Sequence, residues 1–135
     1  MNRVEGSGTE ASFSKSKGAM QEAESGPLIL IVDDDSILRG VAVESLRQAG
    51  FSVSEAENGV QALTAIKAGR PDIVLLDVMM PEMDGFDTCR AIRGLPNGDM
   101  LPVVMITALE DLDSINKAYE VGATDFITKP INWII

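Results

Sequence analysis

The chemistry available to this sequence rests on carboxylates. Asp33, Asp34 and Asp35 are consecutive, Asp77 closes the apolar run IVLL before the loop VMMPEMDG, Thr107 closes PVVMIT, and Lys129 follows DFIT. There is no histidine, so imidazole is unavailable as general base, phosphoryl carrier or metal ligand. A carboxylate can act as a nucleophile and attack a phosphoryl group to give an aspartyl phosphate. The charge that develops on the phosphoryl oxygens is stabilised by cations and hydroxyls, which Lys129 and Thr107 can supply. Several carboxylates gathered at one place resist full ionisation unless a cation shares them. Mg²⁺ suits such an oxygen-only set, whereas Zn²⁺ prefers His or Cys ligands.

Each residue also has a plainer reading. Asp77 could hydrogen-bond the turn that follows it. The acids at 33 to 35 could favour a helix start through the helix dipole. Thr107 could be an ordinary β-branched strand residue, and Lys129 a solvated charge. What weighs against these readings jointly is position, because all of these residues fall at the ends of strand-like segments.

Those segments run in a regular order from Pro27. Residues 28–32 (LILIV) predict a strand. A helix starts at about Asp35 or Ser36, both good N-caps, with apolar positions Leu38, Val41, Ala42, Leu46 and Ala49 before Gly50 stops it. Residues 51–56 alternate as an edge strand would, and 60–68 form a helix with Ala62, Leu63 and Ile66 inward and Gly69 as its stop. Residues 73–77 suit a strand buried on both faces. A helix over 86–93, a turn-rich link over 94–101, a strand over 102–107, a helix over 113–121 stopped by Gly122 and a strand over 125–128 complete the series. Five strands alternating with four helices require a parallel sheet. Right-handed crossovers then bring the strand carboxyl ends to one edge, where ligands gather in open α/β sheets. That edge collects Asp33, Asp34, Asp77, Thr107 and Lys129.

Composition narrows the function further. With 135 residues, 45% hydrophobic and 24% charged, the chain fits one globular domain plus some excess. Residues 1–26 are rich in Gly, Ser, Glu and Lys without apolar periodicity and read as a disordered tail, leaving a domain over 27–135. The net charge of -10 and the absence of a Lys/Arg block argue against direct nucleic-acid binding. No segment has the length of a membrane span or the core of a signal peptide. The lone Cys89 is compatible with a reducing compartment, so a cytoplasmic location is expected.

IVDDDS at 31–36, DIVLLDVMMPEMDG at 72–85, VVMITAL at 103–109 and TDFITKP at 124–130 together resemble the receiver domain of bacterial two-component response regulators. The resemblance covers Leu28 to about Trp133. It implies a flavodoxin-like sheet of order 2-1-3-4-5, and a regulatory phosphoacceptor rather than a turnover enzyme. By the same resemblance Asp77 is the phosphoacceptor, and Mg²⁺ is held by Asp34 directly, by Asp33 largely through water, by Asp77 and by the Met79 carbonyl. Thr107 and Lys129 are the residues that contact the phosphoryl group, Thr107 and Phe126 form the switch, and the Lys129–Pro130 bond is cis. Met79 and Leu109 occupy the positions that flank the hydrolytic water. The partners implied are a histidine kinase or phosphotransfer protein and an output domain or partner protein, with a homodimer also allowed.

The chain departs from the pattern after Pro130, where only Ile131 to Ile135 remain in place of a fifth helix. The family places that helix beside the first, so its loss is expected to bare one sheet face near Phe126. The stretch GATDFITKPINW looks most like receivers fused to diguanylate cyclase or phosphodiesterase output domains, which suggests a fragment of a longer regulator. A competing reading is a haloacid-dehalogenase-like phosphatase using the D-x-D pair Asp33 and Asp35, although that leaves Asp77 without a role. A phosphorylation-independent interaction module is a third reading, against which the intact set of five residues speaks.

Overall fold

The apolar runs become strands and the amphipathic stretches become helices in a computed structural model of the chain, which describes residues 26–108, 112–129 and 131. In chain order these are β1 (Leu28–Val32), α1 (Ser36–Gln48), β2 (Ser52–Ala56), α2 (Gly59–Ala68), β3 (Ile73–Asp77) and α3 (Gly85–Arg93). A single 3-10 turn, Gly98–Met100, then leads to β4 (Val103–Thr107), α4 (Leu112–Glu120) and β5 (Asp125–Thr128). Every strand pairing is parallel, in the order β2-β1-β3-β4-β5. The alternating segment at 51–56 is indeed an edge strand, and the most apolar runs lie inside.

The helix ends follow local chemistry. Asp35 caps α1 by accepting hydrogen bonds from the amides of Ile37 and Leu38, which satisfies two otherwise orphaned donors. Asn58 and Asp84 cap α2 and α3 in the same way. At the other end of α1, Gly50 takes a φ of 101°, a left-handed conformation that costs an L side chain energy. Its amide donates to the Arg47 carbonyl and that of Phe51 to Leu46, the paired bonds of a Schellman ending. Gly69 stops α2 as expected, in an extended conformation at φ -166°.

The two faces of the sheet are covered unequally. On one, Leu30, Val32, Val74, Leu76, Val103 and Met105 pack under α2, α3 and α4 as the main core. On the other, Ile29 and Ile31 pack with Ala42, Val43 and Leu46 of α1. Among the described residues, α1 is the only helix on that second face. Its expected apolar stripe therefore needs correction: Leu38 and Val41 are about half exposed and Ala49 is exposed, while Val43 takes an inward place. Leu38 and Val41 instead border a groove of about 490 Å³ with Leu75, Ile106 and Ile131. Residues 1–25 of the expected tail, the Pro130 end of the cis bond, Leu109 and the segment 132–135 lie outside the described residues.

Candidate phosphoacceptor site

The three acids after β1 do three different things. Asp35 is the N-cap of α1, its carboxylate turned to the helix amides. Asp33 accepts a hydrogen bond from the Asp35 amide through Oδ1 at 2.9 Å, an Asx-type turn. Asp34 is exposed, and its carboxylate joins a cluster with those of Asp33 and Asp77. One oxygen from each of the three lies within 4.8 Å of the others.

Asp77 reaches this cluster because β3 ends on it, between β1 and β4 in the sheet. It is 4% exposed, which is rare for a carboxylate without compensation. Lys129 Nζ stands 3.0 Å from its Oδ1 and 4.0 Å from Asp33 Oδ2. That lysine is delivered by a backbone bond, its amide donating to the Thr107 carbonyl at 2.7 Å. Although the ammonium is close, no donor among the described residues meets Asp77 Oδ1 at hydrogen-bonding angles. A buried carboxylate oxygen so placed is suited to a further cation.

The electrostatics follow from burial and crowding. Burial pushes the Asp77 carboxyl above its ordinary range, the Lys129 contact works against this, and the charges of Asp33 and Asp34 add to it. Burial also disfavours the Lys129 ammonium, yet its close contact with Asp77 and the charges of Asp77, Asp33 and Asp34 more than offset that and raise its pKa. A proton, an ammonium or a divalent cation each relieves the same excess of negative charge.

The remaining expected residues lie around this centre. Thr107 is buried at the end of β4 and pairs in register with Thr128, while Asp77 pairs with Ile106. Met79, two residues past Asp77, exposes its side chain. Phe126 is half-buried, packs against the main core and lies opposite Met105. The structure thus brings Asp33, Asp34, Asp77 and Lys129 into one cluster, with Thr107 joined to it through the Lys129 backbone. It leaves Asp35 out as a cap, and Phe126 is packed under the sheet rather than in the cluster.

Two contacts were not foreseen from the sequence. Gly85 opens α3 directly against the phosphoacceptor strand: its amide donates to Val78, and a Cβ there would sit 2.4 Å from the Asp77 carbonyl oxygen. The glycine in MDG was therefore legible as a turn but not as a close approach. Arg39 donates through Nη1 to the Asp33 carbonyl at 2.6 Å and through Nε to Glu55 at 3.0 Å. Its position four residues after the Asp35 cap, on the same side of α1, was the available signal.

Comparison with known proteins agrees with this geometry. Residues 29–133 match the response regulator receiver domain family. The chain is 43% identical over 102 residues to the response regulator MprA of Mycobacterium tuberculosis. It is 44% identical over 102 residues to the DNA-binding response regulator MtrA of Mycobacterium leprae. Each match takes in 76% of this chain but only 44% of the relative's length. In three dimensions the chain resembles the Vibrio cholerae chemotaxis protein CheY4, with a TM-score of 0.78 at 31% identity over 81% of this chain and 91% of that one. It also resembles the signal receiver domain of a signal transduction histidine kinase from Syntrophus aciditrophicus, with a TM-score of 0.74 at 36% identity over 81% and 83% of the two chains. The fold, the acidic edge and these matches agree: the chain belongs to the response regulator receiver domain family.

Proposed function

We propose that Asp77 is the phosphoacceptor of this receiver, taking a phosphoryl group from a phosphohistidine on a histidine kinase or phosphotransfer protein. An oxygen of the Asp77 carboxylate attacks phosphorus, the P–N bond breaks, and the leaving imidazole takes up a proton. The observation that carries this reading is a nearly buried carboxylate 3.0 Å from an ammonium, with two more carboxylates within 4.8 Å. In this reading Lys129 and the Thr107 hydroxyl receive the phosphoryl oxygens, where opposite charge and hydrogen bonding count most.

Mg²⁺ fits the donor set, which is all oxygen and contains no His or Cys, and in which three clustered carboxylates share the Lys129 ammonium. Asp33, Asp34, Asp77 and the Met79 carbonyl would hold it. Bound Mg²⁺ supplies charge neutralisation for the phosphoryl oxygens. Without it, Lys129 is the nearest cation to Asp77, and this chain's own contribution is to exclude water from Asp77 and hold its carboxylate against the β-sheet edge.

The consequence of phosphorylation is a switch. In our reading Thr107 moves toward the phosphoryl group and Phe126, one strand over, repacks, altering the face around α4 and β5 for an output domain or partner protein. The chain acts as a regulatory module without turnover of its own, in the cytoplasm, where its phosphodonor resides. No described helix is long and apolar enough to cross a membrane.

The phosphatase alternative is disfavoured by Asp35, which it would need as general acid but which caps α1. Incubation with a small phosphomonoester and with acetyl phosphate separates the two. Stoichiometric Mg²⁺-dependent labelling without sustained phosphate release supports the receiver reading, and continuous release with phosphomonoester would overturn it.

A further inference from the structure

We infer that Arg39 is a positioning residue for the acidic cluster: it fixes the backbone of Asp33, and through that turn the directions in which Asp33 and Asp34 present their carboxylates. This inference rests on the phosphoacceptor reading.

Most polar groups of Asp33 are already engaged. Its amide donates to the Ala56 carbonyl of β2 at 3.1 Å. Its Oδ1 accepts from the Asp35 amide. Its carbonyl accepts from Arg39 Nη1 at 2.6 Å. Among the described residues, Oδ2 is the oxygen left without a hydrogen bond, on the side where Lys129 stands. Asp33 is thus held from the strand side, the helix side and above, so a single carboxylate oxygen is left to point into the cluster. Asp34 follows on the same turn, and its backbone direction is set by the same restraints. Of the three, the Arg39 bond is the only one made by a side chain from outside the turn.

Arg39 is itself anchored. Its Nε bonds Glu55 at 3.0 Å, and its side chain is 12% exposed against 43% for Glu55. The backbone of Arg39 is fixed by its amide, which donates to the Asp35 carbonyl at 2.9 Å. The planar guanidinium therefore links the last residues of β2 to the turn after β1, a two-acceptor geometry that a lysine ammonium does not reproduce. Neighbours that orient ligands without touching the metal characteristically affect affinity by 10–100-fold.

Charge and positioning predict opposite signs, which makes the inference testable. Arg39 is a cation close to an anionic cluster, so if it acted through charge alone, its removal would tighten binding of a divalent cation. If it acts by holding the turn, its removal weakens binding. The test is calorimetric titration of the full chain with MgCl₂, comparing wild type with Arg39→Met, which keeps the apolar stem and removes the charge. Thermal melting without Mg²⁺ establishes a temperature at which both are folded. We expect the variant to bind about tenfold more weakly. Affinity equal to or tighter than wild type would overturn the inference. Should Arg39→Met not fold, Arg39→Lys carries the same expectation in a weaker degree, and unchanged affinity there would overturn it equally. A wild type that binds no Mg²⁺ would instead overturn the metal reading beneath it, so the two failures are distinguishable.

Discussion

Lys129 Nζ lies 3.0 Å from Asp77 Oδ1, and this ion pair does not suffice to restore the Asp77 carboxyl to its ordinary acidity. Burial and the neighbouring Asp33 and Asp34 outweigh it. A carboxyl whose pKa is raised by folding binds its proton more tightly in the folded state, so that contribution to stability is present in acid and is lost as pH rises through the folded pKa. In the absence of Mg²⁺, Asp77→Asn should therefore melt a few degrees above wild type at pH 7. The difference should vanish as the pH falls below the ordinary carboxylate range. Thermal melts across that pH range check the sign. A variant less stable than wild type at pH 7 would show that Lys129 dominates the site.

Mg²⁺ should reverse the balance. A ligand that binds only the folded state at one hundred times its Kd stabilises by about 2.7 kcal/mol. Wild type should gain a shift of that order, and Asp34→Asn should lose most of it. Because protons compete for the raised Asp77 carboxyl, the gain should shrink as pH falls through the folded pKa of Asp77. A shift that is the same in wild type and Asp34→Asn would remove Asp34 from the metal site.

Gly85→Ala should affect the site without touching a charge. Its Cβ would meet the Asp77 carbonyl at 2.4 Å and Val78 Cα at 2.7 Å, and both are backbone, so neither can swing away. Overpacking of this kind costs about 1–3 kcal/mol, and the displacement falls on the phosphoacceptor itself. Denaturant unfolding should show the loss, and phosphorylation should slow more than stability alone explains.

Lifetime of the acyl phosphate is a separate prediction, carried by Met79 and Leu109. Both side chains are apolar, and that of Met79 is 60% exposed. The receiver resemblance sets these two positions beside the hydrolytic water, and neither side chain can orient that water by hydrogen bonding. Wild type should keep its phosphoryl group severalfold longer than a Met79→Asn, Leu109→Glu double variant. Equal or faster loss from wild type would contradict this.

What the sequence made legible follows from how local each signal is. Apolar runs such as LILIV and IVLL identify strands because a parallel sheet buries both faces, and β5 needed only four residues, DFIT, to be bounded correctly. The acids at the strand ends were visible for the same reason, since strand direction and right-handed crossovers place them together. Leu38 and Val41 were less legible, because an apolar stripe indicates a covered face without saying which part is covered. Gly69 illustrates a different limit: a glycine marks a helix end but not the conformation it takes there. Arg39 and Gly85 act through contacts to the backbone of turns six to eight residues away in the chain, and no apolar periodicity encodes them. The tight burial of Asp77 likewise depends on the neighbours of β3, which only the sheet order supplies.

On the proposed reading, Asp77 is the sole nucleophile. Intact mass spectrometry after incubation with acetyl phosphate and Mg²⁺ tests it most directly, comparing wild type with Asp77→Asn. One phosphoryl group is expected on wild type, none without Mg²⁺, and none on the variant at either condition. An adduct on Asp77→Asn at the wild-type level would contradict it and move the nucleophile to Asp33 or Asp34.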